Sequence, residues 1–196
     1  MLNKILVFHK RPPETYTDAL SYLGLPFVAD TDPLAENDCD GLLLIGGGDV
    51  DPKLYGSDIH AEDVDPLRDA SELLAIERFV RKGKRILGVC RGFQILNVFF
   101  GGTLKNVEGH RVFGKDVIHG VKAIPPFSYP ENTVNSYHRQ AVDLLAPNAL
   151  PLLVSDDGII EGAAFLKTVF GVQFHPERSG DRAVKRIYGD LFCAET

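Results

Sequence analysis

Cys90 has a glycine two residues away on either side, in Gly88-Val89-Cys90-Arg91-Gly92. Glycines at those offsets let a chain turn sharply from a strand into a helix without Cβ clashes, lifting the central side chain to the carboxyl end of a sheet. A thiol placed there meets a helix N-terminus, which favours its anionic form, and free backbone N–H groups that can hold an oxyanion. The same five residues would also suit a buried core cysteine closing a strand. A second segment, Val169 to Glu177, reads as a strand that delivers His175, Pro176 and Glu177. A cysteine nucleophile needs an imidazole to take its proton, and the imidazole needs a carboxylate to fix its tautomer and stabilise its charged form. His175 and Glu177 supply that pair, although His-Pro-Glu on its own would be an ordinary surface turn. Gly46-Gly47-Gly48 follows an apolar run, and its backbone N–H groups could approach a carbonyl beside the N–H of Arg91. A nucleotide phosphate loop is a poorer reading of these glycines, because GxGxxG and the P-loop lysine are both absent.

Short apolar strands alternating with helices must position these groups. Lys4 to Phe8, Pro26 to Ala29, Gly41 to Ile45 and Arg85 to Val89 read as strands, the third with the continuous apolar character of a strand buried on both faces. Ala19, Leu20 and Leu23 before Gly24 mark a first helix. Asp65-Pro66 opens the clearest one, with Asp as N-cap, Pro at the first helical position, Leu73, Ile76, Phe79 and Val80 on one side, and Gly83 past its end. Phe93 to Phe100 reads as a largely buried helix stopped by Gly101-Gly102. The stretch from Thr103 to Asn135 predicts loops and hairpin strands, including Val117 to Ile124. Leu152 to Ser155, Ile159 to Phe165 and Val169 to Phe174 predict adjacent antiparallel strands, and Asp181 to Cys193 a final amphipathic helix. The expected fold class is α/β: a three-layer sandwich with a mainly parallel, flavodoxin-like sheet, a few antiparallel strands in the C-terminal half, and one catalytic domain over 1–196.

With 21 Lys and Arg against 27 Asp and Glu, the net charge is −6, and the longest basic run, Lys82 to Arg85, is broken by Gly83. A phosphate-backbone binder is not expected, so nucleic acid is excluded as a partner. No apolar stretch approaches the roughly 20 residues that cross a bilayer, and the N-terminal apolar run is too short for a signal peptide, so a cytoplasmic protein without membrane contact is expected. Three scattered cysteines, Cys39, Cys90 and Cys193, suggest neither a disulfide framework nor a zinc knuckle. His9, His60, His110 and His119 lack metal-ligand spacing and read as loop or surface histidines, so no metal and no cofactor is expected. The Asp-Val-Asp pairs at 49–51 and 63–65 read as turn and cap residues.

Four motifs together resemble the class I glutamine amidotransferase superfamily, and within it the stand-alone γ-glutamyl-γ-aminobutyrate hydrolase-like branch. They are Gly46 to Pro52 with Tyr55; Gly88 to Gln94 with Asn97 and Gly101 to Leu104; Val134-Asn135-Ser136-Tyr137-His138-Arg139-Gln140; and Gly171 to Glu177. The resemblance implies a Cys90, His175, Glu177 triad that attacks a γ-glutamyl amide, releases an amine and hydrolyses a γ-glutamyl thioester to glutamate. It implies an oxyanion hole at Gly47, Gly48 and the Arg91 backbone, a glutamyl pocket containing Gln94, and substrate contacts at Ser136 and Tyr137 through backbone groups. His138 is the rival base, but only His175 has a carboxylate two residues away to orient it. The Arg91 cation could sit beside the thiol, meet a carboxylate on the substrate, or be a solvated charge at the elbow. Lys105-Asn106-Val107 departs from the acidic or glutamine-containing continuation of that branch, in a region that borders the leaving-group side. The expected partner is a small-molecule γ-glutamyl substrate, with a homodimer left open. The alternative reading is a glutaminase subunit that delivers ammonia to a separate synthase, and a catalytically silent module is a third.

Overall fold

The computed structural model describes residues 4–193. Nine strands form one sheet in the order β2-β1-β3-β4-β11-β10-β9-β6-β7. β1 (Ile5–Phe8) lies between β2 (Phe27–Asp30) and β3 (Gly41–Leu44), followed by β4 (Arg85–Val89) and β11 (Val169–Val172), all parallel. Order 2-1-3-4 followed by a fifth parallel strand is the flavodoxin-like arrangement. Beyond β11 the sheet turns antiparallel through β10 (Ile160–Leu166), β9 (Leu150–Ser155), β6 (Val117–Ala123) and β7 (Thr133–Ser136). A separate pair, β5 (Leu104–Asn106) with β8 (Gln140–Val142), supplies further hairpin structure in the middle of the chain.

Successive strand residues point to opposite faces, and the parallel strands are apolar on both. Ile5, Val7, Leu43, Leu87 and Val89 pack against Tyr16 and Leu20 of α1 (Glu14–Tyr22) and the C-terminal helical segment. Leu6, Phe8, Leu42, Leu44 and Ile86 pack against Ile76 and Phe79 of α2 (Pro66–Arg81) and Phe93, Ile95 and Leu96 of α3 (Arg91–Phe99). The sheet is therefore the middle of three layers. α2 begins as its sequence dictates, with the Asp65 carboxylate accepting from the Leu67 and Arg68 N–H groups at 3.1 Å and Pro66 in the first turn.

The C-terminal segment departs from the single helix expected over Asp181 to Cys193. A short α4 (Asp181–Val184) opens into a π turn over Lys185–Gly189 before α5 (Asp190–Phe192). Its buried residues come in pairs four apart: Ala183 and Val184, Ile187 and Tyr188, Leu191 and Phe192. A 3.6-residue turn would rotate those pairs off the sheet, and the wider π turn keeps them facing it.

Removing the Asp65 cap returns two N–H groups of α2 to water. Asp65→Ala is expected to destabilise the protein by about 1 kcal/mol, read from urea unfolding with an unchanged m-value.

Candidate active site

Three adjacent parallel strands carry the sequence-predicted chemistry to the same end of the sheet. Gly46-Gly47-Gly48 follows β3, Cys90 follows β4, and His175 lies just past β11. Ligands bind at the carboxyl ends of strands in such sheets because the loops there are free to vary.

Cys90 adopts φ 55 and ψ −109, a backbone conformation that an L-residue holds only when its surroundings fix it, at a cost on the order of 1–3 kcal/mol. Its N–H donates to Val172 O at 2.8 Å, and its carbonyl accepts from Phe93 and Gln94 N–H, so the end of β4 and the first turn of α3 hold it together. The two flanking glycines are required by close approach. A Cβ on Gly88 would lie 2.4 Å from Gly92 O, and one on Gly92 would lie 2.2 Å from Leu44 O.

The His175 Nδ1–H donates to Glu177 Oε1 at 2.8 Å, leaving the far ring nitrogen for the Cys90 sulfur. Burial lowers the imidazole pKa, but the Cys90 sulfur and the Glu177 carboxylate more than offset this, and it is pushed up to about 9. A Cβ on Gly46 would lie 3.3 Å from His175 Cε1 and 3.8 Å from Cys90 Cβ, so a side chain there would press between them. Two residues position this ring, Asn135, quoted above only as part of a motif, and Tyr16, which no motif contains. The Asn135 side chain accepts from His175 N–H at 2.8 Å and donates to His175 O at 2.9 Å, clamping its backbone. Tyr16 Oη lies 3.3 Å from His175 Nδ1 and accepts the Gly46 N–H at 3.1 Å, tying α1 to both histidine and glycine loop. Neither contact could be found from spacing, since Tyr16 lies 159 and Asn135 40 residues from His175.

The Arg91 side chain corrects all three readings of it. Rather than sitting beside the thiol, on the substrate or in solvent, it is 2% exposed and paired with Asp69 and Glu72 of α2. Its backbone N–H remains at the first turn of α3, where a helix leaves its amides without intrahelical acceptors. Arg68 joins the same cluster: Nε donates to Glu72 at 2.8 Å, while Nη2 donates to Ile45 O at 3.0 Å and Gly46 O at 3.1 Å. The carbonyls of the glycine loop thus face Arg68.

Gly47, Gly48, Cys90 and Gln94 line a cavity of about 160 Å³, together with Tyr137, His138 and Gln140. Four charged residues also line it, Asp49, Asp63, Arg111 and Arg139, of which Arg139 pairs with Asp49 and Glu62. Gln94 is buried, and its amide donates to Gln140 O at 2.6 Å and Gln173 Oε1 at 3.3 Å. Tyr137 is on the cavity wall with the Arg111 guanidinium 5.1 Å from its ring centre. Ser136 is not among the lining residues; its hydroxyl donates to His110 O at 2.9 Å. Asn97 is fully buried and bonds to Thr103, Leu144 and Ala146, a role in holding loops together. A larger apolar cavity of about 270 Å³ lies at Phe127, Phe170, Ile187 and Leu191, but its lining holds no cysteine, serine or histidine, so the smaller one is the candidate site.

Of the four histidines read as loop or surface residues, His110 is a correction. It is 1% exposed, stacked on His119 with ring centres 4.0 Å apart, and its Nε2–H donates to Asp157 at 2.7 Å. His138 is buried too, its Nδ1–H donating to Gln140 O at 3.0 Å, and burial lowers its pKa to about 3.

A mostly parallel sheet with this end-on arrangement of cysteine, histidine and glycine loop defines a glutamine amidotransferase-like fold. The Peptidase C26 family model matches residues 24–115 and 118–177, and the chain belongs to that family. YvdE of Lactococcus lactis, named as glutamine amidotransferase-like, is 36% identical over 155 residues, covering 70% of this chain and 66% of that protein. The γ-glutamyl-γ-aminobutyrate hydrolase PuuD of Escherichia coli K12 is 28% identical over 212 residues, covering 91% of this chain and 84% of that protein. A crystal structure of a glutamine amidotransferase from Thermotoga maritima superposes with a TM-score of 0.66 at 19% identity, covering 89% of this chain and 76% of that one. The chain spans about two thirds of the length of the curated relatives it matches at 35–36% identity. Among the described residues, no helix is long and apolar enough to cross a membrane.

Arg91→Met would leave the buried Asp69 and Glu72 short of their cation. It is expected to cost about 3–5 kcal/mol, measured by urea unfolding, because a broken buried pair leaves an uncompensated charge.

Proposed function

We propose that the protein is a stand-alone cysteine hydrolase that cleaves a γ-glutamyl amide to glutamate and an amine. The observation that carries this reading is the hydrogen-bonded Glu177–His175 pair facing Cys90 beside the glycine loop. The hydrolase family and the relative named as a γ-glutamyl-γ-aminobutyrate hydrolase support the reaction class.

The Cys90 thiolate attacks the γ-carbonyl carbon, and the developing oxyanion is held by the N–H groups of Gly47, Gly48 and Arg91. The protonated His175 gives its proton to the departing nitrogen, so the C–N bond breaks and a thioester with Cys90 remains. Water then attacks the thioester, His175 takes its proton, and glutamate leaves with the thiolate restored. Glu177 holds the imidazole tautomer throughout. Gln94 spends its amide hydrogens on Gln140 and Gln173, which leaves its oxygen to accept from a substrate ammonium. Tyr137 lines the same cavity, while Ser136, outside that lining, holds the His110 carbonyl. The reaction needs no cofactor and no partner chain.

The second reading, a glutaminase subunit feeding a synthase, draws on the glutamine amidotransferase-like relatives at 35–36% identity. Glutamate release from a panel of γ-glutamyl amines and from glutamine, with purified protein alone, separates the two. Release from γ-glutamyl amines that vanishes in Cys90→Ala supports the hydrolase; release only from glutamine, and only when a synthase is added, supports the subunit.

The pH profile tests the role of Glu177. His175 must carry a proton to expel the amine, and its pKa is about 9, so kcat/KM is expected to fall as pH rises through about 9. In Glu177→Gln one source of that upward shift is gone: the alkaline limb should move to lower pH and kcat should drop by roughly 10²–10⁴-fold. An unmoved limb with near-normal kcat would remove Glu177 from the mechanism.

A further inference from the structure

Next to the catalytic cavity lies a second cluster that the proposed reaction does not use. Glu161 on β10 is 0% exposed, and among the described residues neither carboxylate oxygen has a hydrogen-bond partner. His138, between β7 and β8, is 4% exposed, and its Nε2 is likewise unpartnered. His110, between β5 and β6, completes the group: one donor atom from each of the three residues lies within 4.8 Å of the other two. Buried polar atoms are nearly always satisfied, and three orphaned ones facing a common space call for an occupant.

We propose that His110, His138 and Glu161 bind one divalent transition-metal ion of the zinc type. Two imidazoles and a carboxylate are a donor set suited to zinc or cobalt, and three protein ligands leave a fourth position for water. The surroundings are those of metal-binding histidines, whose second ring nitrogen is held by a carbonyl or carboxylate. The His138 Nδ1–H is fixed by Gln140 O, which aims the lone pair of Nε2 into the cluster. The His110 Nε2–H is fixed by Asp157, which also accepts from Ser155. Ser136 sits 3.1 Å from His110 Nδ1 but has the His110 carbonyl for its single proton, so that nitrogen keeps a lone pair. Ligands about 2.0–2.2 Å from a tetrahedral metal stand roughly 3.3 Å apart, so the donors must draw together. Two of them lie on connecting segments, where such movement is cheapest. A bound ion would tie both segments to β10 and, through His138, to the wall of the catalytic cavity. The site is independent of the hydrolase reading.

Cobalt(II) is the probe, added to the Cys90→Ser protein so that the catalytic thiol cannot serve as a ligand. The expected result is one cobalt per chain by calorimetry, visible absorption of a four-coordinate centre without a thiolate charge-transfer band, and a thermal midpoint that rises with metal concentration. Glu161→Gln, which keeps the side-chain shape, should weaken binding by more than about 100-fold and abolish the thermal shift. His138→Asn should do the same and serves if Glu161→Gln fails to fold. His60→Asn, on an exposed residue, should bind as before. No cobalt uptake by the Cys90→Ser protein, or undiminished uptake by Glu161→Gln and His138→Asn, overturns the proposal. Loss of binding in His119→Asn alone also overturns it, moving the ion to the shallower His110, His119 and Asp157 set.

Discussion

A carbonyl oxygen on β3 leaves no room for a Cβ at residue 92, and the turn that presents Cys90 is built inside that limit. Gly88 and Gly92 also approach too closely for a Cβ on Gly88, and Cys90 between them, joining β4 directly to α3, holds a positive φ. The strain is sustained by what surrounds it: Val172 holds the Cys90 N–H, and α3 is packed on Ile95 and Leu96 against the sheet. A looser turn would let the thiol sink into the core and would move the first amides of α3 away from it. The parallel register of β3, β4 and β11 does the rest, since it brings three loop starts to one edge without any long connection having to find its place.

Buried charge links this turn to the glycine loop. Arg91 and Arg68 share the carboxylate of Glu72, Arg91 reaches Asp69, and Arg68 reaches the carbonyls of Ile45 and Gly46. Such a network is costly to assemble and costly to interrupt, so its geometry is narrowly defined. The position of the N-terminal turn of α2, set by Asp65 and Pro66, therefore fixes how far the glycine loop stands from Cys90. α1 acts from the opposite face through Tyr16, which touches both the loop and His175.

The parallel strands, α2 and the elbow could be read in the sequence because local rules govern them: two-faced apolar runs, an Asp-Pro start, and glycines at fixed offsets. Cys90, His175 and Glu177 were legible because chemistry constrains residue type as well as spacing, and the structure brings all three together. Long-range contacts were not legible. Asn135 was noticed only as part of a motif, Tyr16 not at all, and none of the three places open to the Arg91 side chain was the right one, because its partners lie about twenty positions upstream. The π turn at Lys185–Gly189 was hidden because a repeat of four and a repeat of 3.6 look alike over two turns. His110 was read as a surface residue because its partners, Ser136 and Asp157, come from strands and turns that pair only in the folded sheet.

His138 and His175 stand near one cavity, and their surroundings separate them. Burial opposes the charged form of both rings. At His175 the Cys90 sulfur and Glu177 outweigh burial and carry the pKa to about 9, so near neutral pH the ring holds a proton it can give to a departing amine. At His138 the neighbouring charges are those of other histidines, which add to burial, and the pKa falls to about 3. A ring that stays neutral across the physiological range cannot serve as an acid, but it keeps a permanent lone pair, and Gln140 points that lone pair towards Glu161 rather than solvent. Two environments thus hold one residue type in opposite protonation states: charged beside the thiol, and neutral behind it.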